Sequence, residues 1–138
     1  MSEQEFQKLL QQCRTLTNEK RNSEALTVAQ KLLQLDAENI AAHKLLALLY
    51  GLNNQHGNAH KHYMLLVQFD ASYTLEHCLQ VARGYTDKGE FKEAGLICMA
   101  AFNRIPDKKL VQFAVECFER ASDTEWLERA NATLKKLA

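Results

Sequence analysis

Three alanines set the frame for what this chain can fold into. Ala25, Ala59 and Ala94 stand 34 and then 35 residues apart, and each is followed by a segment of the same apolar pattern. LTVAQKLLQLDAEN (26–39), HKHYMLLVQFDASY (60–73) and GLICMAAFNRIPDK (95–108) align without gaps. A fixed period of this length means one supersecondary unit used several times, each copy burying its apolar face against the next. Within each copy the apolar residues fall three and four apart. Phe6, Leu9, Leu10, Cys13 and Leu16 form one stripe, and Ala25, Val28, Ala29, Leu32, Leu33 and Leu35 the next. That is helical spacing. Only one proline and five glycines occur in 138 residues, too few for the frequent turns of a β-sandwich or barrel.

Small side chains at Ala25, Ala59 and Ala94 suit the close approach of two antiparallel helices, where a bulkier residue would hold them apart. Polar stretches at 19–24 (EKRNSE), 53–58 (NNQHGN) and 87–90 (DKGE) separate the paired helices, with Gly57 and Gly89 as candidates for left-handed turn residues. Pro106 stops one helix before the next region. A fourth hairpin is expected from the stripe Leu110, Phe113, Ala114, Cys117 and Phe118. It continues with a capping box at Ser122–Glu125 and an inward face of Trp126, Leu127, Ala130, Leu134 and Leu137.

The pattern resembles the tetratricopeptide repeat family. The third copy carries it most fully, with Cys78-x2-Val81-Ala82-x2-Tyr85, then Gly89, Ala94-x3-Cys98, Ala101 and Pro106. The second runs His43-x2-Leu46-Ala47-x2-Tyr50, Ala59-x3-Tyr63, Leu66 and Ala71; the first has Leu9, Gln12-Cys13, Leu16, Ala25, Ala29, Leu32 and Ala37. The aromatic residue that opens the family motif is absent, and alanine replaces two of its three closing prolines. The resemblance implies an all-α fold of about eight helices, paired as helix-turn-helix repeats in a short right-handed superhelix. The repeats would span residues 6–39, 40–74 and 75–108, with a degenerate capping hairpin at 109–138, in a single domain.

The resemblance further implies a concave groove lined by the first helix of each pair. The residues falling there are Leu10, Arg14 and Asn18; Lys44 and Leu48; Leu79, Arg83 and Thr86; and Phe113 and Arg120. Leucines would form the floor, with Arg14, Lys44, Arg83 and Arg120 spaced along it, suiting a peptide or helix with apolar and acidic side chains. Family members that clamp acidic chaperone tails use a lysine and an asparagine one turn apart. Leu10 and Arg14 hold those positions here, so a clamp of that kind is not expected. The implied function is a non-catalytic adaptor, scaffold or chaperone, the alternative being self-association through the groove or another apolar face.

Other chemistry finds little support in the residues. Seventeen basic and seventeen acidic side chains cancel, and no block of one sign stands out, which argues against a nucleic-acid binder. No apolar run reaches the length of a membrane span, and the beginning, MSEQEFQK, lacks the features of a secretory signal. Cys13, Cys78, Cys98 and Cys117 lie inside apolar stripes without CxxC spacing, and are expected as buried thiols of a cytoplasmic protein. His56, His60 and His62 invite a metal reading, with His43 and His77 on flanking helices. Gly57-Asn58 is expected to leave His56 in the turn, and the histidines are read as solvated surface groups. No cofactor, no metal and no catalytic constellation is expected.

Overall fold

A computed structural model describes residues 3–137. It contains eight α-helices and, among the described residues, no strand, so the fold is all-α as the periodicity requires. The helices are α1 (Glu3–Asn18), α2 (Asn22–Leu35), α3 (Ile40–Leu52), α4 (His56–Phe69), α5 (Leu75–Asp87), α6 (Phe91–Phe102), α7 (Lys108–Ala121) and α8 (Thr124–Lys136). Two compact units divide the chain, the first ending at Leu66 and the second beginning at Val67, so the division falls within α4.

The repeat is written into the backbone more regularly than into the side chains. At the first hairpin turn, Arg21 N–H donates to Leu16 O at 2.9 Å and Lys20 N–H to Thr17 O at 3.0 Å. This pair of bonds is the Schellman arrangement, which satisfies carbonyls left over at a helix end and needs one residue with left-handed angles. The same two bonds recur as Gln55 to Tyr50 with Asn54 to Gly51, Glu90 to Tyr85 with Gly89 to Thr86, and Asp123 to Phe118 with Ser122 to Glu119. The left-handed residues are Lys20 (φ 62°), Asn54 (φ 61°), Gly89 (φ 78°) and Ser122 (φ 56°). Only Gly89 is the expected glycine. Gly57 lies inside α4 instead, and His56, expected in the turn, is the first residue of that helix.

Connections between hairpins repeat as well. Asp36 accepts from the Glu38 backbone N–H at 3.3 Å, and Asp70, 34 residues on, accepts from Ser72 N–H at 2.9 Å. Each then leads to a helix cap: Asn39 accepts from Ala42 N–H at 3.0 Å, and Thr74 from His77 N–H at 3.5 Å. Asp107 caps α7 through Lys109 N–H at 2.8 Å. The cap of α8 differs from the expected box. Ser122 closes α7, and Asp123 starts α8 by accepting from Trp126 N–H at 3.0 Å. That bond, with Lys92 Nζ 3.2 Å away, holds the Asp123 carboxyl below the usual range. Glu125 pairs with Arg129 instead.

In the first unit, Phe6, Leu10, Cys13 and Leu16 of α1 pack with Ala25, Val28, Ala29 and Leu32 of α2 and with Ala42, Leu46 and Leu49 of α3. Cys13 Sγ reaches the Ala25 carbonyl at 3.4 Å, so the thiol touches the neighbouring backbone at the first of the three alanines. Ala25, Ala59 and Ala94 are all buried, as their spacing predicts. In the second unit, Cys78, Ala82 and Tyr85 of α5, Ala94, Ile97 and Cys98 of α6, and Leu110, Val111, Ala114 and Phe118 of α7 are buried. Phe118 stacks on Trp126 with ring centroids 5.7 Å apart.

Arg104, beyond the end of α6, had no sequence signal to mark it. Its guanidinium donates through Nε to Val67 O near the end of α4, at 3.2 Å, and through a second nitrogen to Tyr73 O in the following connection. One planar fork thus satisfies two carbonyls that no helix bond reaches. Arg104→Ala is expected to destabilise the protein by about 2–3 kcal/mol, the scale of hydrogen bonds to a charged donor. Arg104→Lys should not restore it, because an ammonium cannot reproduce the fork. Urea denaturation of the three proteins checks both statements.

Candidate functional site

The first helix of each hairpin, α1, α3, α5 and α7, supplies the residues expected to line a groove. Two of those residues are core. Leu10 is 5% exposed and Leu79 is 7% exposed, so neither offers an open floor. Arg14, Asn18, Lys44, Leu48, Arg83 and Arg120 are exposed, while Thr86 and Phe113 are half-buried.

Two of the basic residues have partners within the second unit. Arg83 Nη1 lies 3.4 Å from Glu76 Oε1, an exposed pair on the same helix. Arg120 lies over the Phe91 ring, 4.9 Å from its centroid, which occupies the guanidinium face with an internal partner. Thr86 bonds back to the Arg83 carbonyl at 2.9 Å. In the second unit these groups therefore spend part of their bonding capacity at home.

The first unit differs because of α3. Its sequence, IAAHKLLALLYGL, is apolar around nearly the whole circumference. Ala42, His43, Leu46, Ala47 and Leu49 are buried, yet Leu48 is 45% exposed and Leu52 is 51% exposed. Ile40, Lys44, Leu48 and Leu52 follow each other at intervals of four, so they form one outward stripe of three large aliphatic residues and one lysine. The repeat makes the contrast sharp. The residues 34 before and 35 after Leu48 are Arg14 and Arg83, and those around Leu52 are Asn18 and Asp87. At these positions α1 and α5 carry polar side chains where α3 carries leucine.

The histidines are not the solvated set expected. His43, on the buried side of α3, lies with Nδ1 2.8 Å from Nδ1 of His62 on α4, and its Nε2 lies 2.8 Å from the Ala37 carbonyl. Tyr50 stacks on the His62 ring at 5.7 Å. Burial, followed by the nearby His43 and Lys61, lowers the pKa of His62. The sequence signal missed was His43 on the buried stripe, one helix away from its partner.

All four cysteines are buried and free. Burial raises the pKa of each, Cys117 to about 11, so at neutral pH they are thiols rather than nucleophilic thiolates. Among the described residues, no group of three or more His, Cys, Asp or Glu is placed to hold a metal ion. No helix among them is long and apolar enough to cross a membrane. No protein-family model matches the chain, and no curated protein matches it in sequence.

Proposed function

We propose that the protein is a non-catalytic helical-repeat interaction module that holds an apolar partner segment against the outward face of α3. The observation that carries this reading is the exposed Leu48–Leu52 pair on a helix that is apolar all round. A helix of that composition belongs in an interior, where both faces are covered. A partner helix or extended segment laid along Ile40, Leu48 and Leu52 would supply the missing cover. Lys44, in the same stripe, favours a partner with an acidic side chain and contributes to orientation more than to strength. The roles of adaptor, scaffold and chaperone all follow from such a surface, and a cytoplasmic setting fits its reduced thiols. An antiparallel copy of the same stripe is the alternative occupant, which would make the protein a self-associating one.

The test is the double substitution Leu48→Glu with Leu52→Glu, which leaves the buried side of α3 untouched. Burying a leucine contributes about 1.5–3 kcal/mol in full, and these two start half-covered, so binding should weaken about tenfold to a hundredfold. The comparison is between parent and variant in quantitative capture from lysate and in sedimentation velocity, with circular dichroism confirming equal helicity. A captured protein lost in the variant supports the adaptor reading. A concentration-dependent dimer lost in the variant supports self-association. If both measurements are unchanged, the α3 face is not the functional surface.

A further inference from the structure

The histidine pair of the first unit has a proton count that its geometry dictates. His43 is 9% exposed, and its Nε2 sits 2.8 Å from the Ala37 carbonyl oxygen. A carbonyl only accepts, so Nε2 of His43 carries hydrogen and donates. A neutral His43 then presents a lone pair at Nδ1, and the 2.8 Å contact with Nδ1 of His62 requires His62 to donate from that atom. The tautomers of both rings follow in series from one backbone carbonyl. The chain of bonds joins the α2–α3 connection to α3 and α3 to α4. Tyr50 stacks on His62 with an interplanar angle of 15°, and its hydroxyl accepts from Gln30 Nε2 of α2 at 3.2 Å.

One added proton fits this arrangement. Placed on Nε2 of His62, it leaves the Nδ1–H to Nδ1 bond in place and makes its donor charged. A second proton, on Nδ1 of His43, puts two N–H groups face to face across 2.8 Å, and the bond cannot survive. We propose that His43 and His62 form a proton-operated latch on the α3–α4 hairpin, closed with no proton or one added proton and opened by the second. The latch does not depend on what covers the outer face of α3.

Burial first, then the His43 ring and Lys61, act against a proton on His62. Lys61 precedes His62 on α4 and Lys44 follows His43 on α3, both cationic. His56 and His60 also lie on α4. The neighbouring Tyr63 has its pKa raised by burial and stays neutral. On the α2–α3 connection, Asp36 and Glu38 flank Ala37, and the Asp36 carboxylate accepts from Glu38 N–H and from Asn39 Nδ2. From α2 the link to the pair is the neutral Gln30–Tyr50 bond.

The direction of the pH effect follows. The unfolded chain takes up a proton at each imidazole as pH falls through about 6.5, whereas the latched pair resists the second. The stability supplied by the latch is therefore present above about pH 6.5. It is lost progressively as pH falls below that value, at up to about tenfold in the folded-to-unfolded ratio per pH unit for one unmatched proton.

Nitrogen-15 NMR of the 138-residue chain, titrated from pH 8 to 5, reads the pair directly. The expected result is Nε2–H on His43 and Nδ1–H on His62 at pH 8, with a second protonation step well below 6.5 that shifts α3 and α4 resonances together. Two independent titrations near 6.5 with no tautomer preference would overturn the latch. Urea denaturation of parent and His62→Gln supplies the second readout. Between pH 6.5 and 5.5 the parent should lose about fivefold in its folding constant relative to the variant, the figure expected when an unfolded imidazole of pKa about 6.5 takes up one unmatched proton. Parallel profiles would overturn the proposal, and the NMR measurement on the parent stands even if the variant does not fold.

Discussion

Phe118→Ala is expected to lower stability by about 3–5 kcal/mol, the largest single effect in this chain. The ring is fully buried in the second unit, stacked on Trp126 from α8 and pressed against α6 at Gly95. Removing it takes away the transfer free energy of a large aromatic and leaves a cavity between three helices that their backbones cannot close. A loss of this size is a large fraction of the roughly 5–15 kcal/mol that holds a typical domain together. Circular dichroism during urea unfolding measures it. Trp126 is the single tryptophan of the chain, so its fluorescence reports on the surroundings of one ring, which touches Phe118 and Arg129. A loss below about 1 kcal/mol would mean that the α6–α7–α8 packing does not depend on the ring.

The second large effect is expected from the opposite change at the same contact. A Cβ added at Gly95 would lie 2.5 Å from Cε1, 2.7 Å from Cζ and 2.9 Å from Cδ1 of Phe118. Gly→Ala inside a helix ordinarily gains roughly 0.5–1 kcal/mol. Here that gain is opposed by an overpacking cost of about 1–3 kcal/mol, since the ring is buried and also stacked on Trp126. Gly95→Ala should therefore be destabilising where helix propensity alone predicts the reverse. The double variant with Phe118→Leu separates the causes. If the clash is with the ring, alanine at 95 should cost less once Phe118→Leu has removed that ring, a non-additivity of about 1 kcal/mol or more. Additive losses would place the strain elsewhere.

These two residues also show where sequence reading stops. Phe118 was legible as part of an apolar stripe, because burial of a stripe follows from helical spacing. Gly95 was not, since nothing in GLICMAAF distinguishes a glycine under an aromatic ring from a weak point in a helix. The turns divide the same way. Polar stretches marked where the hairpins bend, but the left-handed position fell on Lys20, Asn54 and Ser122 as well as on Gly89. The paired backbone bonds of each turn hold that conformation whatever the side chain, so residue type marks it poorly.

The candidate surface was half legible. Lys44 and Leu48 were expected in a groove lining and are exposed, but Leu10 and Leu79 were expected beside them and are buried. A leucine at the edge of an apolar stripe carries no mark of which side of the boundary it falls on, and the neighbouring helix decides. Arg83 and Arg120 were visible as cations. Their engagement with Glu76 and the Phe91 ring was not, because it depends on which helices meet.

By itself, then, the amino-acid sequence determined the eight helices, their pairing period of 34 to 35 residues and the alanines where helices come close. All of these rest on spacing along one chain, and spacing is a local property. The tertiary structure alone decided that α3 keeps two leucines in the open, that Gly95 lies under Phe118, that Arg104 ties two backbone carbonyls, and that His43 meets His62. Each of those joins residues from different elements across a distance that periodicity does not encode, and close packing admits only one arrangement of them.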